Sequence, residues 1–234
     1  MDLVARLAED PAQAALFLDV DGVLAPVVLG PGNARVPEET RQELRNLNER
    51  YRLVACITGR AVDDARKVVG VPELTYVGNH GLDLAPDAED WQERLGRFLS
   101  GVEWPGLENK RLSATLHYRG LDETAVLPQL REVADRARDA GFVPRFGRKM
   151  LEIMPPIDAN KGTAVRALLE RDGLERALVS GDDVTDLDAF HAVDGLKLAV
   201  RVAVSSEEGP AALREAADIV VRDPAEFLSL LQRL

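Results

Sequence analysis

The sequence predicts an α/β fold: a doubly wound core, with a parallel sheet between two helical layers, and a smaller α+β domain inserted into it. Three observations lead there. Short apolar runs bounded by polar turn residues alternate with longer amphipathic segments near both ends of the chain, which is the rhythm of parallel strands buried on both faces. That rhythm breaks from about residue 83 to 155, where the pattern suits an antiparallel sheet with helices on one face. Finally, 234 residues with 46% hydrophobic side chains suffice for one large core that carries an insert.

In chain order, AALFL (14–18), RLVACI (52–57) and LTYV (74–77) are the first predicted strands. PEETRQELRNLNER and AVDDARKVVG have helical patterning, with Pro37 where a first turn tolerates it and Gly70 where a helix stops. In the insert, a helix-like stretch precedes RLSATLHYR, which alternates in part and predicts a strand with one wetter face. A helix over about 122–140 follows, then FVPRFG and KMLEIMP as a hairpin, an αββαββ-like order. KGTAVRALLERDG resumes the core as a helix stopped at Gly173. RALVS (176–180) and KLAVRV (197–202) are further strands, and EFLSLLQRL is a terminal amphipathic helix over the sheet. The predicted domains are 1–82 with 156–234 for the core, and 83–155 for the insert.

Composition excludes several functions. Asp and Glu total 40 against 29 Lys and Arg, a formal net charge of −11, so nucleic acid and anionic membranes are not expected partners. One cysteine, Cys56, allows no intrachain disulfide and fits a reducing cytoplasm. MDLVARLAEDP is acidic rather than basic, and no run approaches a membrane span. The expectation is a soluble cytoplasmic protein, acting as a monomer.

Four segments carry chemistry. In LFLDVDGVL, Asp19 and Asp21 stand i, i+2 at the C-terminal end of the first strand, the edge where open α/β sheets bind ligands. Two close carboxylates need a hard cation or a shared proton; the bland alternative is an ordinary Asp-Gly turn. In LVACITGR, Thr58 and the Gly59 turn follow the second strand and could cradle a phosphate-sized anion, or Thr58 could merely cap the next helix. Lys161 in DANKGTAV opens a helix, where a cation opposes the dipole and so implies an anion nearby; the order K-G-T is not that of a nucleotide-binding loop. In VSGDDVTDLDAF, Asp182, Asp183, Asp186 and Asp188 crowd the end of another strand. Such density needs a cation or helix-start amides, and Asp188 reads as a helix-start acid.

The ordered set of Asp pair, Thr, Lys and acidic cluster, all at C-terminal strand ends, resembles the haloacid dehalogenase (HAD) superfamily of phosphotransferases. The resemblance implies that Asp19 is the nucleophile forming an aspartyl-phosphate and that Asp21 exchanges protons with the leaving oxygen and water. It implies that Thr58 and Lys161 hold phosphoryl oxygens, and that Mg²⁺ binds Asp19, the Asp21 carbonyl and Asp182, with Asp186 orienting metal waters. GNHG (78–81), ENKRLSATLHYRG (108–120), KMLEIMPPIDANKGTAV (149–165) and GDDVTDLDAF (181–190) look more narrowly like trehalose-6-phosphate phosphatases. For that family the sugar-phosphate contacts match Glu108, Lys110, His117, Arg119, Lys149 and Glu152, with Gly59 and His80 at the edge of the site; His80 stays open between a contact and a structural role.

The sequence departs from the family pattern at Val23 (usually Thr), Thr58 (often Ser) and Leu187 (often Glu). The expected activity is Mg²⁺-dependent hydrolysis of trehalose 6-phosphate. The alternatives are another sugar phosphate (sucrose phosphate or a glycosyl phosphoglycerate), a non-catalytic phosphatase-like regulatory module, or a phospho-receiver domain, which the insert between Thr58 and Lys161 disfavours. Cys56, His191, Trp91 and Trp104 read as structural.

Overall fold

The structure, a computed structural model, describes residues 2–28, 34–147, 149–205 and 209–234. The chain opens with α1 (Leu3–Ala8), β1 (Ala15–Leu18), α2 (Glu38–Arg50), β2 (Leu53–Ile57), α3 (Val62–Val69) and β3 (Thr75–Val77). Then come α4 (Ala88–Leu99), β4 (Leu107–Asn109), β5 (Ala114–His117), α5 (Glu123–Asp139), β6 (Val143–Gly147) and β7 (Met150–Met154). The last run is α6 (Lys161–Asp172), β8 (Arg176–Gly181), α7 (Asp186–Ala192), β9 (Leu198–Val204), α8 (Ala211–Ala216), β10 (Ile219–Val221) and α9 (Pro224–Leu231). Contacts divide the chain into two compact units, residues 1–81 with 159–234, and residues 82–158.

In the first unit six parallel strands lie in the order β10-β9-β8-β1-β2-β3. The chain winds outward from β1 through β2 to β3, then returns to β8 on the other side of β1 and winds outward again. The strand order therefore reverses between β1 and β8, and helices leaving adjacent strands there diverge and open a crevice at the C-terminal edge. Side chains alternate along each strand. Leu16, Leu18, Val54, Cys56, Leu178 and Val200 pack toward Leu7 of α1, Leu44 of α2, Val68 of α3 and Phe227 of α9. Phe17, Ala55, Ile57, Val179 and Ala203 pack toward Val165 and Leu168 of α6, Phe190 of α7 and Leu213 of α8. Burial on both faces is why these strands read as unbroken apolar runs.

Helix ends follow local chemistry. Asn160 caps α6 by accepting the Thr163 amide, while the Thr163 hydroxyl accepts the Asn160 amide. Gly70 and Gly173 end α3 and α6 in the left-handed region, at φ 70° and 64°. Pro37 is the residue before α2 rather than inside its first turn.

In the second unit an antiparallel sheet runs β4-β5-β7-β6. Leu116 and Leu151 are buried on one face; α5 packs on β6 and β7 and buries Leu130 and Ala134, while α4 buries Trp91 and Leu95. Trp91 meets Phe142 edge-on at 5.3 Å and donates its Nε1–H to Asp87, so it serves packing. The opposite face carries the row Glu108, Thr115, Glu152 and Arg145, set side by side by the strand register. Among the described residues no helix is long and apolar enough to cross a membrane.

Candidate active site

The sharp turn after β1 assembles the first part of the site. The amides of Leu24 and Ala25 both donate to the Val20 carbonyl, and the Gly22 amide donates to the Ala25 carbonyl. Gly22 has φ 77°, and a Cβ there would lie 2.0 Å from Asp182 Oδ2. Only glycine lets the β1 loop approach the β8 loop this closely. Asp19, 6% exposed, is tied to β8 through its amide, which donates to the Ser180 carbonyl at 3.3 Å.

Lys161 is the first residue of α6 and is 3% exposed. Its Nζ lies 2.9 Å from Asp19 Oδ1 and 2.6 Å from Asp186 Oδ1. The anion that a lysine at a helix start implied is therefore a pair of buried carboxylates. Gly162 beside it answers a packing need, because a Cβ there would meet the Asp188 carbonyl oxygen at 2.3 Å; the glycine allows α6 and α7 to touch. Asp186 is committed on both oxygens. Oδ1 accepts from Lys161, while Oδ2 accepts the backbone amides of Asp182 and Asp183, each at 3.0 Å. It fixes the cation and the backbone turn that carries Asp182. Asp183 and Asp188 are exposed, and Asp183 accepts the Val184 amide.

Carboxylate oxygens of Asp19, Asp182 and Asp186 lie within 4.8 Å of one another. Burial pushes the Asp19 carboxyl well above the usual carboxylate range, with Lys161 opposing and Asp186 and Asp182 adding to the rise. Burial and then Asp186 push Asp182 up to about 7. Burial works against the charge on Lys161, but Asp19 and Asp186 more than offset it and hold it ionised. Three carboxylates around one ammonium leave surplus negative charge. An all-oxygen donor set of this kind fits a hard divalent cation.

Thr58 is 1% exposed just beyond β2. Its hydroxyl accepts the Arg60 amide at 3.2 Å, whereas the residue preceding α3 is Ala61, with no side-chain cap. Thr58 thus shapes the 58–60 turn and does not cap the helix. The GNHG segment packs on this turn: the Asn79 amide donates to the Arg60 carbonyl and the His80 amide to the Thr58 carbonyl, both at 2.9 Å. Asn79 and His80 both adopt positive φ, 49° and 55°. A Cβ on Gly59 would fall 2.4 Å from the His80 ring, so the imidazole lies directly on the glycine.

Arg60 belongs to the site although no motif in the sequence marks it. Its Nε and Nη2 donate to the two oxygens of Asp21, each at 2.7 Å, and its Nη1 donates to Asp64 at 2.5 Å. Asp21 and Asp64 hold the guanidinium firmly charged despite its burial. Val23 and Leu187, two departures from the family pattern, are apolar packing positions. Burial, and Asp19 next, push the Cys56 thiol far up, so it is an inert core residue.

In the insert, His117 Nε2 lies 3.0 Å from Glu108 Oε2, and register brings Glu108 and Glu152 onto one face with His117. Lys149 pairs with Glu123, and its carbonyl accepts the Tyr118 amide, which brings Arg119 near it at one end of the sheet. Lys110 lies at the other end, in the β4–β5 turn. The sheet therefore groups the two carboxylates with His117 and separates Lys110 from Arg119 and Lys149.

The family model described as trehalose-phosphatase matches residues 17–104 and 102–223. A rice (Oryza sativa subsp. japonica) protein named probable trehalose-phosphate phosphatase 3 is 28% identical over 95% of this chain and 69% of its own length. The trehalose-phosphate phosphatase of Mycobacterium avium (strain 104) is 33% identical over 77% of this chain and 51% of its own. Among solved structures, an Aspergillus fumigatus trehalose-6-phosphate phosphatase superposes with a TM-score of 0.65 at 24% identity, covering 99% of this chain and 96% of its own. A haloacid dehalogenase-like hydrolase from Bacteroides thetaiotaomicron does so at 0.62 and 14% identity, covering 94% and 98%. These likenesses share the fold: a HAD-like parallel core with an inserted α+β unit.

Proposed function

We propose, since this chain belongs to the trehalose-phosphatase family, that it is a phosphoric monoester hydrolase that converts trehalose 6-phosphate to trehalose and phosphate. The observation that carries the reading is the buried Lys161 bridging Asp19 and Asp186 at the strand-order switch. A carboxylate so anchored is a fixed nucleophile, and the surplus negative charge around it suits a divalent cation that would in turn receive a phosphoryl group.

In the first step a carboxylate oxygen of Asp19 attacks phosphorus; the new O–P bond forms as the bond to the sugar oxygen breaks. Asp21 gives that leaving oxygen a proton, and trehalose departs. In the second step Asp21 takes a proton from water as the water oxygen attacks the aspartyl-phosphate, which frees phosphate and restores Asp19. Lys161 and the Thr58–Gly59 turn, with His80 against it, donate to the phosphoryl oxygens. We assign Asp19, Asp182 and the Asp21 carbonyl as holders of Mg²⁺, with Asp186 bracing them. When bound, Mg²⁺ supplies charge neutralisation and Lewis acidity at the phosphoryl oxygens. We assign sugar recognition to Glu108, Lys110, His117, Arg119, Lys149 and Glu152, since hydroxyls pair with carboxylates and cations alike. This reading makes residues 82–158 a specificity domain and the remainder the catalytic core. We take the enzyme to act as a monomer, and its single cysteine, Cys56, accords with a reducing cytoplasm.

The test is phosphate release from trehalose 6-phosphate, sucrose 6-phosphate and a glycosyl phosphoglycerate, with and without Mg²⁺. Trehalose 6-phosphate is expected to be the best substrate, and Asp19→Asn to lower its turnover about a thousandfold or more at unchanged fold. Another sugar ester cleaved faster corrects the substrate. No release from any ester, or full activity in Asp19→Asn, refutes the enzyme reading.

A further inference from the structure

We propose that Arg60 is the positioning residue for the acid–base carboxylate of Asp21, an inference that rests on the phosphatase reading above. Two N–H groups of one guanidinium meet the two Asp21 oxygens at 2.7 Å, the fork-to-fork arrangement that fixes the plane and direction of a carboxylate as well as its distance. The fork itself is held. Nη1 is bound to Asp64 in the first turn of α3, the amide to Thr58 Oγ1 and the carbonyl to the Asn79 amide. The Arg60 side chain is only 10% exposed, against 44% for Asp21.

Asp21 needs such a holder. It sits on a turn, half open to solvent, where an aspartate is free to sample several staggered χ1 wells. A proton donor that leaves its productive rotamer forfeits much of the advantage of being tethered. A carboxylate offers about four acceptor positions. Arg60 takes one on each oxygen, so each oxygen keeps a second position through which a proton can pass. Lysine, a point donor, cannot reproduce this.

The competing explanation is a purely structural ion pair that steadies the start of α3 through the i, i+4 contact of Arg60 with Asp64. Leaving-group dependence separates the two. The ratio kcat/KM reports only steps up to departure of the leaving group. Phenolate needs a proton to leave; 2,4-dinitrophenolate does not. In the Mg²⁺-loaded enzyme, Arg60→Lys is expected to lower kcat/KM for phenyl phosphate about 10- to 100-fold, a share of what general acid catalysis provides. For 2,4-dinitrophenyl phosphate the loss is expected to stay within about threefold. Asp21→Asn is expected to give the same ester preference more strongly, and adding Arg60→Lys to it to cost nothing further on phenyl phosphate. Equal losses on both esters, no loss on phenyl phosphate, or additive losses in the double variant would overturn the inference. If Asp21→Asn itself penalises both esters equally, the acid–base assignment beneath the inference falls. If Arg60→Lys does not fold, Asp64→Asn decides instead: it releases one edge of the guanidinium, and an ester-selective loss of about 3- to 10-fold is expected, while no loss or an unselective one refutes the idea.

Discussion

Replacing Gly22 by alanine tests how tightly the β1 and β8 loops must approach. Two costs are separable. The first is backbone: φ is 77°, and an L-residue with a Cβ in that region costs about 1–2 kcal/mol. The second is contact. The new Cβ would stand 2.0 Å from Asp182 Oδ2 and 2.5 Å from Asp182 Cγ, so the carboxylate must retreat by about 1.4 Å to reach ordinary contact at 3.4 Å. The Asp182 amide is held by Asp186 Oδ2, and its carboxylate lies within 4.8 Å of those of Asp19 and Asp186, so the retreat disturbs this cluster at about 1–3 kcal/mol. Gly173→Ala is the internal control, since Gly173 has φ 64° and nothing within 4 Å of its would-be Cβ, and it carries the backbone cost alone. Gly22→Ala is therefore expected to lose about 2–5 kcal/mol, and Gly173→Ala about 1–2. A displacement beyond 1 Å in a charged site also costs about a hundredfold in turnover. The assays are urea unfolding at fixed pH without divalent cation, and phosphate release with Mg²⁺. Equal stability losses in the two variants, with wild-type turnover in Gly22→Ala, would refute the claimed close approach.

Other outcomes follow from the same geometry. Burial lifts Asp182 from 3.8 to about 7 and lifts Asp19 in the same direction. The folded protein therefore binds more protons than the unfolded chain between about pH 4 and 7, and the cation-free protein is expected to lose stability as pH rises through about 7. Mg²⁺ is expected to raise Tm more at pH 8 than at pH 5, and a Tm shift independent of pH argues against a cation among these acids. Chelation with EDTA is expected to abolish phosphate release and readdition of Mg²⁺ to restore it; full activity after exhaustive chelation refutes the metal assignment. Glu152→Ala and Lys110→Ala are expected to lower kcat/KM on trehalose 6-phosphate about 10- to 1000-fold, with little change on a small aryl phosphate, because unpaired polar groups penalise only the sugar substrate. Equal losses on both esters assign these residues to folding.

Legibility in the sequence followed physical contrast. β1 and β2 stood out because burial on both faces leaves no polar residue inside them, and β8 because Ala177, Leu178 and Val179 form an unbroken buried run. β10 did not, since Val221 alone of its three residues is buried, and the short α1 and α8 offer too few turns for a period to emerge. Asp19, Lys161 and Asp182 were readable as acids and a base at strand and helix ends. Arg60 was not: its partner Asp21 lies 39 positions away, and an arginine after a glycine turn looks like any surface cation. Thr58 remained balanced between two roles because helix starts are uncertain by a residue or two, and the start of α3 at Val62 decided it. Asp186 looked like one more acid in a cluster. Its service to three donors at once depends on the turn geometry of residues 181–186, where a Cβ on Gly181 would collide with the Asp186 side chain at 2.2 Å.

The reversal of strand order between β1 and β8 also governs the order of folding. Asp19 and Ser180 touch through the backbone although about 160 residues separate them along the chain. At equilibrium this is cheap, because each doubling of a closed loop adds only about 0.6 kcal/mol. In time it is expensive. During synthesis β1, β2 and β3 emerge first, and β1 then forms the sheet margin, with Phe17 bare on the face that α6, α7 and α8 later cover and a row of backbone groups awaiting β8. An apolar strand left as a margin invites wrong partners. Asp19 meanwhile lacks Lys161, which arrives with α6 immediately before β8. Arrival of the α6–β8 segment therefore both compensates the buried charge and closes the sheet, so a chain stalled before residue 161 carries both an open strand and an unanswered carboxylate.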